Sequence, residues 1–380
     1  MAKKLRIGLT GGGSGGHVYP LLAVASEINR IASENQIGVH MRYFGPLDEF
    51  SEVIQSKNID IKKIPSAKLR RYISFQNILD VPKFFFSILC ALWHLLWYMP
   101  DVVFSKGGTS AFPVVLAAWL YRIPVLIHES DSVPGLTNLL SAKFATRIAC
   151  GFEGVCEKFR TDLAAYTGNP IRTNLLEGRI NKIDAKKSLG LESEEPLVLI
   201  LGGSQGSQAI NEFTLTVLPQ LLELSAIYHQ TGRANFEEIN RLGKDIALTI
   251  SPEVIAKHPY RCEGFSDELN KYYSAADLVI ARAGAGTIAE ISAFAIPSIL
   301  IPLPQESSSG HQRTNAYEYG KGGAAIIIEQ DNLVPAIFIK QVKDALSPQI
   351  NTQMSEAAKK WNKPDAAKII ALEAIRLAQS

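Results

Sequence analysis

Two apolar runs, Leu5–Thr10 and Leu197–Leu201, each end in a glycine-rich loop and then give way to a helical stretch. Further short runs have the same character: Val39–Phe44, Val102–Ser105, Val125–His128, Arg147–Ala149, Ala226–Gln230, Leu278–Ala281, Ser298–Ile301 and Ala324–Ile328. Between many of them lie stretches long enough for a crossover helix, Pro20–Ala32 and Ala209–Leu224 among them. Short apolar strands alternating with helices specify parallel sheets covered by helices, an α/β architecture.

The alternation is repeated at low resolution. Asp101-Val-Val-Phe-Ser-Lys-Gly-Gly leads through a helix to Ile123-Pro124-Val-Leu-Ile, and Asp277-Leu-Val-Ile-Ala-Arg-Ala-Gly leads through a helix to Ile296-Pro297-Ser-Ile-Leu. Two Rossmann-like halves explain this pair and the two glycine loops together; convergence of common strand-loop-helix units is the alternative. A length of 380 residues also suits two domains at roughly 150 residues each. Gly and Pro in Thr167-Gly-Asn-Pro-Ile-Arg172 fit a hinge, which places the domains at 1–168 and 169–364.

Composition excludes several classes. Hydrophobic content of 47% is globular rather than disordered. With 39 basic against 37 acidic residues, the basic excess expected of a nucleic-acid binder is missing. Cys90, Cys150, Cys156 and Cys262 show no Cys-x-x-Cys spacing, so neither a zinc site nor a disulfide framework is expected. The run before the first glycine loop is too short for a signal-peptide core, and a cytoplasmic chain is expected.

Gly11-Gly-Gly-Ser-Gly-Gly-His17 follows a strand and precedes a helix expected to open near Pro20. Glycines let backbone approach a ligand closely, and a helix N-terminus favours an anion. The loop fits the dinucleotide fingerprint formally, but the acidic residue wanted at the end of the second strand is missing there, since Asp48 lies beyond it. His17 suits a general base acting on a hydroxyl nucleophile, or equally a cap or packing histidine. Gly202-Gly-Ser-Gln-Gly206 suits a diphosphate or a tight turn. Arg282-Ala-Gly-Ala-Gly-Thr287 opens a helix carrying Glu290, whose carboxylate can take both ribose hydroxyls or simply complement the helix dipole. Glu129 and Asp131 are too few for a cation site, so no metal is expected. His311, Gln312 and Asn315 suit sugar hydroxyls.

From Lys62 to Met99, the basic residues Lys62, Lys63, Lys68, Arg70, Arg71 and Lys83 precede a run rich in Phe and Trp. The run, Phe84–Met99, is shorter than the roughly 20 residues that span a bilayer. It reads as a monotopic contact with an anionic membrane surface, or else as a buried core helix.

Taken in order, Gly12-Gly-Ser-Gly-Gly-His-Val-Tyr-Pro20, Ser105-Lys-Gly-Gly108, His128-Glu-Ser-Asp131, Pro134-Gly-Leu-Thr-Asn138, Gly168-Asn-Pro-Ile-Arg172, Gly202-Gly-Ser-Gln-Gly206 and His311-Gln312-x-x-Asn315 closely resemble the MurG family. These bacterial transferases add N-acetylglucosamine to lipid I in peptidoglycan synthesis. The resemblance implies a GT-B fold, two Rossmann-like domains with parallel sheets facing across a cleft. Domain 1–168 would take the acceptor and the membrane, with the C-terminal helix 365–380 packed back on it, and domain 169–364 would take the UDP-sugar.

The resemblance further implies inverting transfer from UDP-N-acetylglucosamine to the muramyl C4 hydroxyl of lipid I, giving lipid II. Donor recognition maps onto Arg172, Ser204, Ser266, Ala285, Gly286, Thr287, Ile288, Ala289, Glu290 and Gln312, with Ser14, Gly15 and Gly16 reaching the sugar from the other domain. Asp131 also falls in this set, where many relatives carry Asn. Gly107, Gly108 and Asn138 map to the acceptor, and His17 or Glu129 to the general base. No metal or cofactor is implied. The family works at the cytoplasmic face of the bacterial membrane as a peripheral protein, alongside other cell-wall synthesis proteins and without nucleic acid. A UDP-N-acetylglucosamine 2-epimerase and a non-catalytic GT-B membrane adaptor are the alternatives.

Overall fold

The computed structural model describes residues 4–66, 75–108, 110–203, 205–305 and 310–380. The chain divides into two compact units, Met1–Thr173 with Lys363–Ser380, and Asn174–Asn362.

The first unit is built on a seven-stranded sheet in the order β3-β2-β1-β4-β5-β6-β7. Its strands are β1 (Leu5–Thr10), β2 (Val39–Gly45), β3 (Asp60–Lys63), β4 (Val102–Ser105), β5 (Val125–Glu129), β6 (Arg147–Cys150) and β7 (Ala164–Tyr166), every pairing parallel. The core joins β1 to Leu21, Val24 and Ile28 of the Gly15–Glu34 helix, and to Ile370, Ala374 and Ile375 of the Ala366–Gln379 helix. The second unit carries a six-stranded sheet, β10-β9-β8-β11-β12-β13. Its strands are β8 (Leu197–Leu201), β9 (Ala226–Gln230), β10 (Tyr260–Glu263), β11 (Leu278–Ala281), β12 (Ser298–Leu300) and β13 (Ala325–Ile327), again all parallel.

Both sheets reverse their strand order once, beside β1 and beside β8. Loops leaving neighbouring strands in opposite directions open a crevice there, so ligands of such sheets gather at the switch point. The repeated Asp motifs do the same work in both units. Asp101 accepts from the Arg6 amide at 2.7 Å and Asp277 from the Leu197 amide at 2.8 Å, which locks the start of β4 onto β1 and of β11 onto β8.

Three strands escaped the apolar-run reading, β3, β7 and β10, and all three are sheet edges. An edge strand needs no continuous apolar run, and β3 exposes Asp60, Lys62 and Lys63. The first helix also differs from expectation. It begins at Gly15, five residues before Pro20, so His17 sits on its first turn rather than in the loop. Pro20 is accommodated inside the helix and leaves the Gly16 carbonyl without its intrahelical donor.

The Phe75–Tyr98 helix is not a buried core helix. Only 22% of its most apolar window, Val81–Tyr98, is buried, and this window is long and apolar enough to cross a membrane. Its inner face is Ser87, Ala91, Leu95 and Tyr98, while Phe85, Phe86, Leu89, Trp93 and Trp97 face outward. The helix is tied to the unit at its C-terminal end, where the Tyr98 hydroxyl donates to the His40 carbonyl and Arg6 donates to the Tyr98 carbonyl. The Tyr121 hydroxyl caps the Leu92 carbonyl as well. Lys62, Lys63 and Lys83 are exposed, whereas Lys68, Arg70 and Arg71 lie outside the described residues.

Candidate active site

In the first unit, the loops after β1, β4 and β5 meet at the switch point. The Gly11 carbonyl accepts from the Tyr43 hydroxyl at 2.6 Å and from the Ser110 hydroxyl at 3.2 Å, which pins the glycine loop from both sides. Asp48, the acidic residue that stood beyond the second strand, returns to accept from the Gly13 amide. It closes the loop and does not stand at the end of β2. Gly108 has φ +100°, and a Cβ there would lie 2.5 Å from the Gly12 carbonyl oxygen, so the two loops approach as bare backbone.

Ser14 is the N-cap of the Gly15–Glu34 helix, yet its hydroxyl makes no cap bond and meets Nδ1 of His17 at 2.8 Å. With Nδ1 engaged, Nε2 is the nitrogen left for proton transfer. Burial and the charge of Lys106 push the His17 pKa down to about 4, against an opposing effect from Asp131. The imidazole is therefore neutral at physiological pH, the form a base requires. Gly15 is buried and Gly16 exposed beside it.

Glu129, the second base candidate, is only 3% exposed. Its carboxylate accepts from the Asp131 amide at 3.1 Å, the Gly135 amide at 2.9 Å and the Asn138 side chain at 2.9 Å. Burial and the Asp131 charge raise its pKa, while these bonds lower it. Both oxygens are committed to clasping the 130–138 loop. Asn138 is itself buried, donating also to the His128 carbonyl, with its Oδ1 above Gly107. Arg172 belongs to this first unit, its guanidinium 5.3 Å from the centre of the Tyr19 ring.

In the second unit, the described residues expected at the donor lie on loops and helices that follow β10, β11 and β12. The Ala285–Ala293 helix starts directly at the switch point, with Gly284 as N-cap and no side-chain cap, so its first amides face the loops. Gly286 and Thr287 lie on that first turn, Ile288 is buried, and Ala289 and Glu290 are half-buried. The Glu290 carboxylate accepts from the Tyr273 hydroxyl at 3.0 Å. Gln312, on the His311–Gly320 helix, accepts from the Leu303 amide at 3.3 Å. Ser266 is buried, its amide donating to the Gln230 side chain at 3.3 Å. Ser204 lies outside the described residues.

Two buried cations at the switch points were not among the expected site residues. Lys106 and Arg282 each stand one residue after their strand, at equivalent places in the repeated Asp motif. Arg282 donates to Ser207 Oγ at 2.8 Å, the Ile301 and Pro302 carbonyls and Gln330 Oε1, joining the loops after β8 and β12. Lys106 donates from Nζ to Ser130 Oγ in the loop after β5. The signal was the repeat itself, which aligns a lysine with an arginine.

Residues 7–150 match the glycosyltransferase family 28 N-terminal domain and residues 197–370 its C-terminal domain. A UDP-N-acetylglucosamine--N-acetylmuramyl-(pentapeptide) pyrophosphoryl-undecaprenol N-acetylglucosamine transferase of Clostridium kluyveri is 36% identical over 340 residues, covering 89% of this chain and 90% of the relative. The chain belongs to glycosyltransferase family 28. A Clostridium tetani relative of the same name is 34% identical over 89% of each chain. Among solved structures, Acinetobacter baumannii MurG superposes with a TM-score of 0.74 at 26% identity, covering 98% of this chain and 99% of that one. A Neisseria meningitidis UDP-GlcNAc 2-epimerase, at 14% identity and a TM-score of 0.65 over 98% of this chain and 100% of that one, shares the fold. This family-28 chain is a glycosyltransferase of α/β class with two Rossmann-like units.

Proposed function

We propose that this family-28 enzyme transfers N-acetylglucosamine from UDP-N-acetylglucosamine to the C4 hydroxyl of the muramyl sugar of lipid I, giving lipid II. The observation that carries the reading is the end-to-end match, at 36% identity, to relatives named for this transfer.

The chemistry follows from the residues. An inverting transfer is a single displacement in which the acceptor oxygen attacks the anomeric carbon, a base takes the hydroxyl proton and UDP departs. Neutral His17 takes that proton on Nε2, while Ser14 and the 130–138 loop hold the surroundings in place. Gly107, Gly108 and Asn138 form the neighbouring acceptor wall. In the second unit, Glu290 holds the ribose, Gln312 reads the sugar hydroxyls, and Ser266 contacts uracil through its backbone. The first amides of the Ala285–Ala293 helix and the glycine loop after β8 receive the charge developing on the diphosphate.

The outward face of the Phe75–Tyr98 helix, with Lys62, Lys63 and Lys83, attaches the enzyme peripherally to an anionic membrane, on the cytoplasmic side. Other cell-wall synthesis proteins are further expected partners. The reading is tested by radiolabelled sugar transfer from UDP-N-acetylglucosamine to a lipid I analogue. Donor binding without incorporation would overturn it.

A further inference from the structure

Lysine is almost never fully buried without a reason, and Lys106 is 2% exposed. Its place in the fold supplies one. The Lys106 amide donates to the Thr10 carbonyl at 2.9 Å, which fixes its backbone to the end of β1. Its Cβ packs against Gly11, where an added Cβ would come within 3.4 Å. From there the side chain reaches the loop after β5 and donates to Ser130 Oγ, between Glu129 and Asp131 in sequence. Gly107 and Gly108 follow with φ of +82° and +100°, so Lys106 supplies the side chain at the start of this loop.

The internal repeat sharpens the point. Arg282, at the equivalent place in the second unit, spends its guanidinium on a hydroxyl, two carbonyls and an amide oxygen and thereby ties loops together. Lys106 has a hydroxyl partner, and Glu129 and Asp131 act on it as neighbouring charges. Glu129 already accepts from three other donors. A buried ion that adds little to hydrogen bonding is weakly stabilising at best, and an apolar replacement of similar volume is often neutral or better.

We propose that Lys106 is a positioning residue for sugar transfer: it fixes the Ser130–Asp131 loop against the glycine loop and sets a positive charge beside His17. This rests on the transferase reading above. Among the described residues, the charges that act on His17 are Lys106 from the β4 end and Asp131 from the β5 loop, with the Ser14 hydroxyl at the start of its own helix. The lysine charge disfavours imidazolium, and burial acts in the same direction. Lys106 thus adds to burial in lowering the His17 pKa, and its bond to Ser130 ties the loop that carries Asp131 to the end of β4.

The test compares the full-length wild type with K106M, K106Q and K106R. Expected for K106M are a melting temperature equal to or above wild type, an unchanged KM for UDP-N-acetylglucosamine and kcat lower by about 10–100-fold. K106R should recover part of the loss. Imidazole ¹H–¹⁵N spectra, titrated with pH, should show the His17 midpoint rising by about one unit or more in K106M and K106Q. This readout needs no turnover, so it separates failure of the proposal from failure of the transferase reading. An unmoved His17 midpoint overturns the proposal. So does a fall in melting temperature with normal kcat per folded molecule, which makes the lysine merely structural.

Discussion

Ser14 Oγ lies 2.8 Å from His17 Nδ1 on the first turn of one helix, where a cap serine would ordinarily serve a backbone amide. The pairing sets which ring nitrogen can work. If Nδ1 carries the proton and donates to Ser14, Nε2 presents its lone pair. Replacing His17 with Ala should lower kcat by about 10²–10⁴-fold, the usual contribution of a positioned general base. Donor affinity, measured by calorimetry with UDP, should stay near wild type. S14A should cost less, about 3–10-fold, since one orienting hydrogen bond is removed. Retained turnover in H17A would remove it from the mechanism.

The same imidazole makes a pH prediction. A His17 pKa of about 4 leaves the base neutral from pH 8 to well below 6. The acidic limb of kcat should therefore lie near 4–5 instead of near the ordinary 6.5. Stability moves too, through His128, which is fully buried and held well below 6.5 by burial and the Lys106 charge. Its Nε2 sits 3.1 Å from the Gly168 carbonyl, so it serves as donor in the neutral ring. Below pH 6.5 the unfolded chain takes a proton that the folded His128 refuses. Its contribution is thus fully present above 6.5 and is lost as pH falls. Melting temperatures at pH 7 and 5 should differ less in H128Q than in wild type.

Much of this architecture can be read from apolar runs, because strands buried on both faces have no polar positions to spend. The edges β3, β7 and β10 were illegible for the opposite reason. Pro20 misled in another way: as a favoured first helical residue it displaced the expected helix start from Gly15, and with it the setting of His17. Lys106 and Arg282 stand at matching places in the repeat, but one cation beside glycines reads as solvated charge. Only the folding of the β5 and β12 loops over them buries them.

Loop contact at the first switch point depends on two glycines. At Gly108, φ of +100° and the nearby Gly12 carbonyl exclude a side chain. G108A should lose about 1–3 kcal/mol in urea unfolding, the range for a residue forced into a left-handed conformation. Activity should fall further than stability, since the glycine loop carrying Ser14 is displaced. A variant with wild-type midpoint and kcat would show that the loops do not press together.

The exposed aromatic face predicts a separable membrane function. Trp93 and Trp97 are 59% and 72% exposed and touch each other edge to face, 5.6 Å between centroids. Burying a large apolar side chain is worth about 1.5–3 kcal/mol, so W93S/W97S should weaken sedimentation with anionic vesicles by at least about tenfold. The melting temperature should hold, because neither ring belongs to the core. Added salt should weaken binding through Lys62, Lys63 and Lys83. Vesicle binding unchanged by both treatments would place the attachment elsewhere.

Glu290 should separate binding from chemistry. Its carboxylate is half-buried, is oriented by the Tyr273 hydroxyl at 3.0 Å, and stands one turn into a helix whose N-terminus has no side-chain cap. A ribose contact is the same in the ground state and the transition state, so its loss raises KM and leaves kcat largely intact. E290Q should raise KM for UDP-N-acetylglucosamine by about 10–100-fold, as expected for a hydrogen bond to a charged group. Y273F removes only the orienting donor and should cost a few-fold. The ribose itself provides the control: a 2′-deoxyribose donor should be penalised by wild type but hardly further by E290Q. If both enzymes discriminate against the deoxy donor equally, Glu290 does not read the ribose and serves the helix dipole instead.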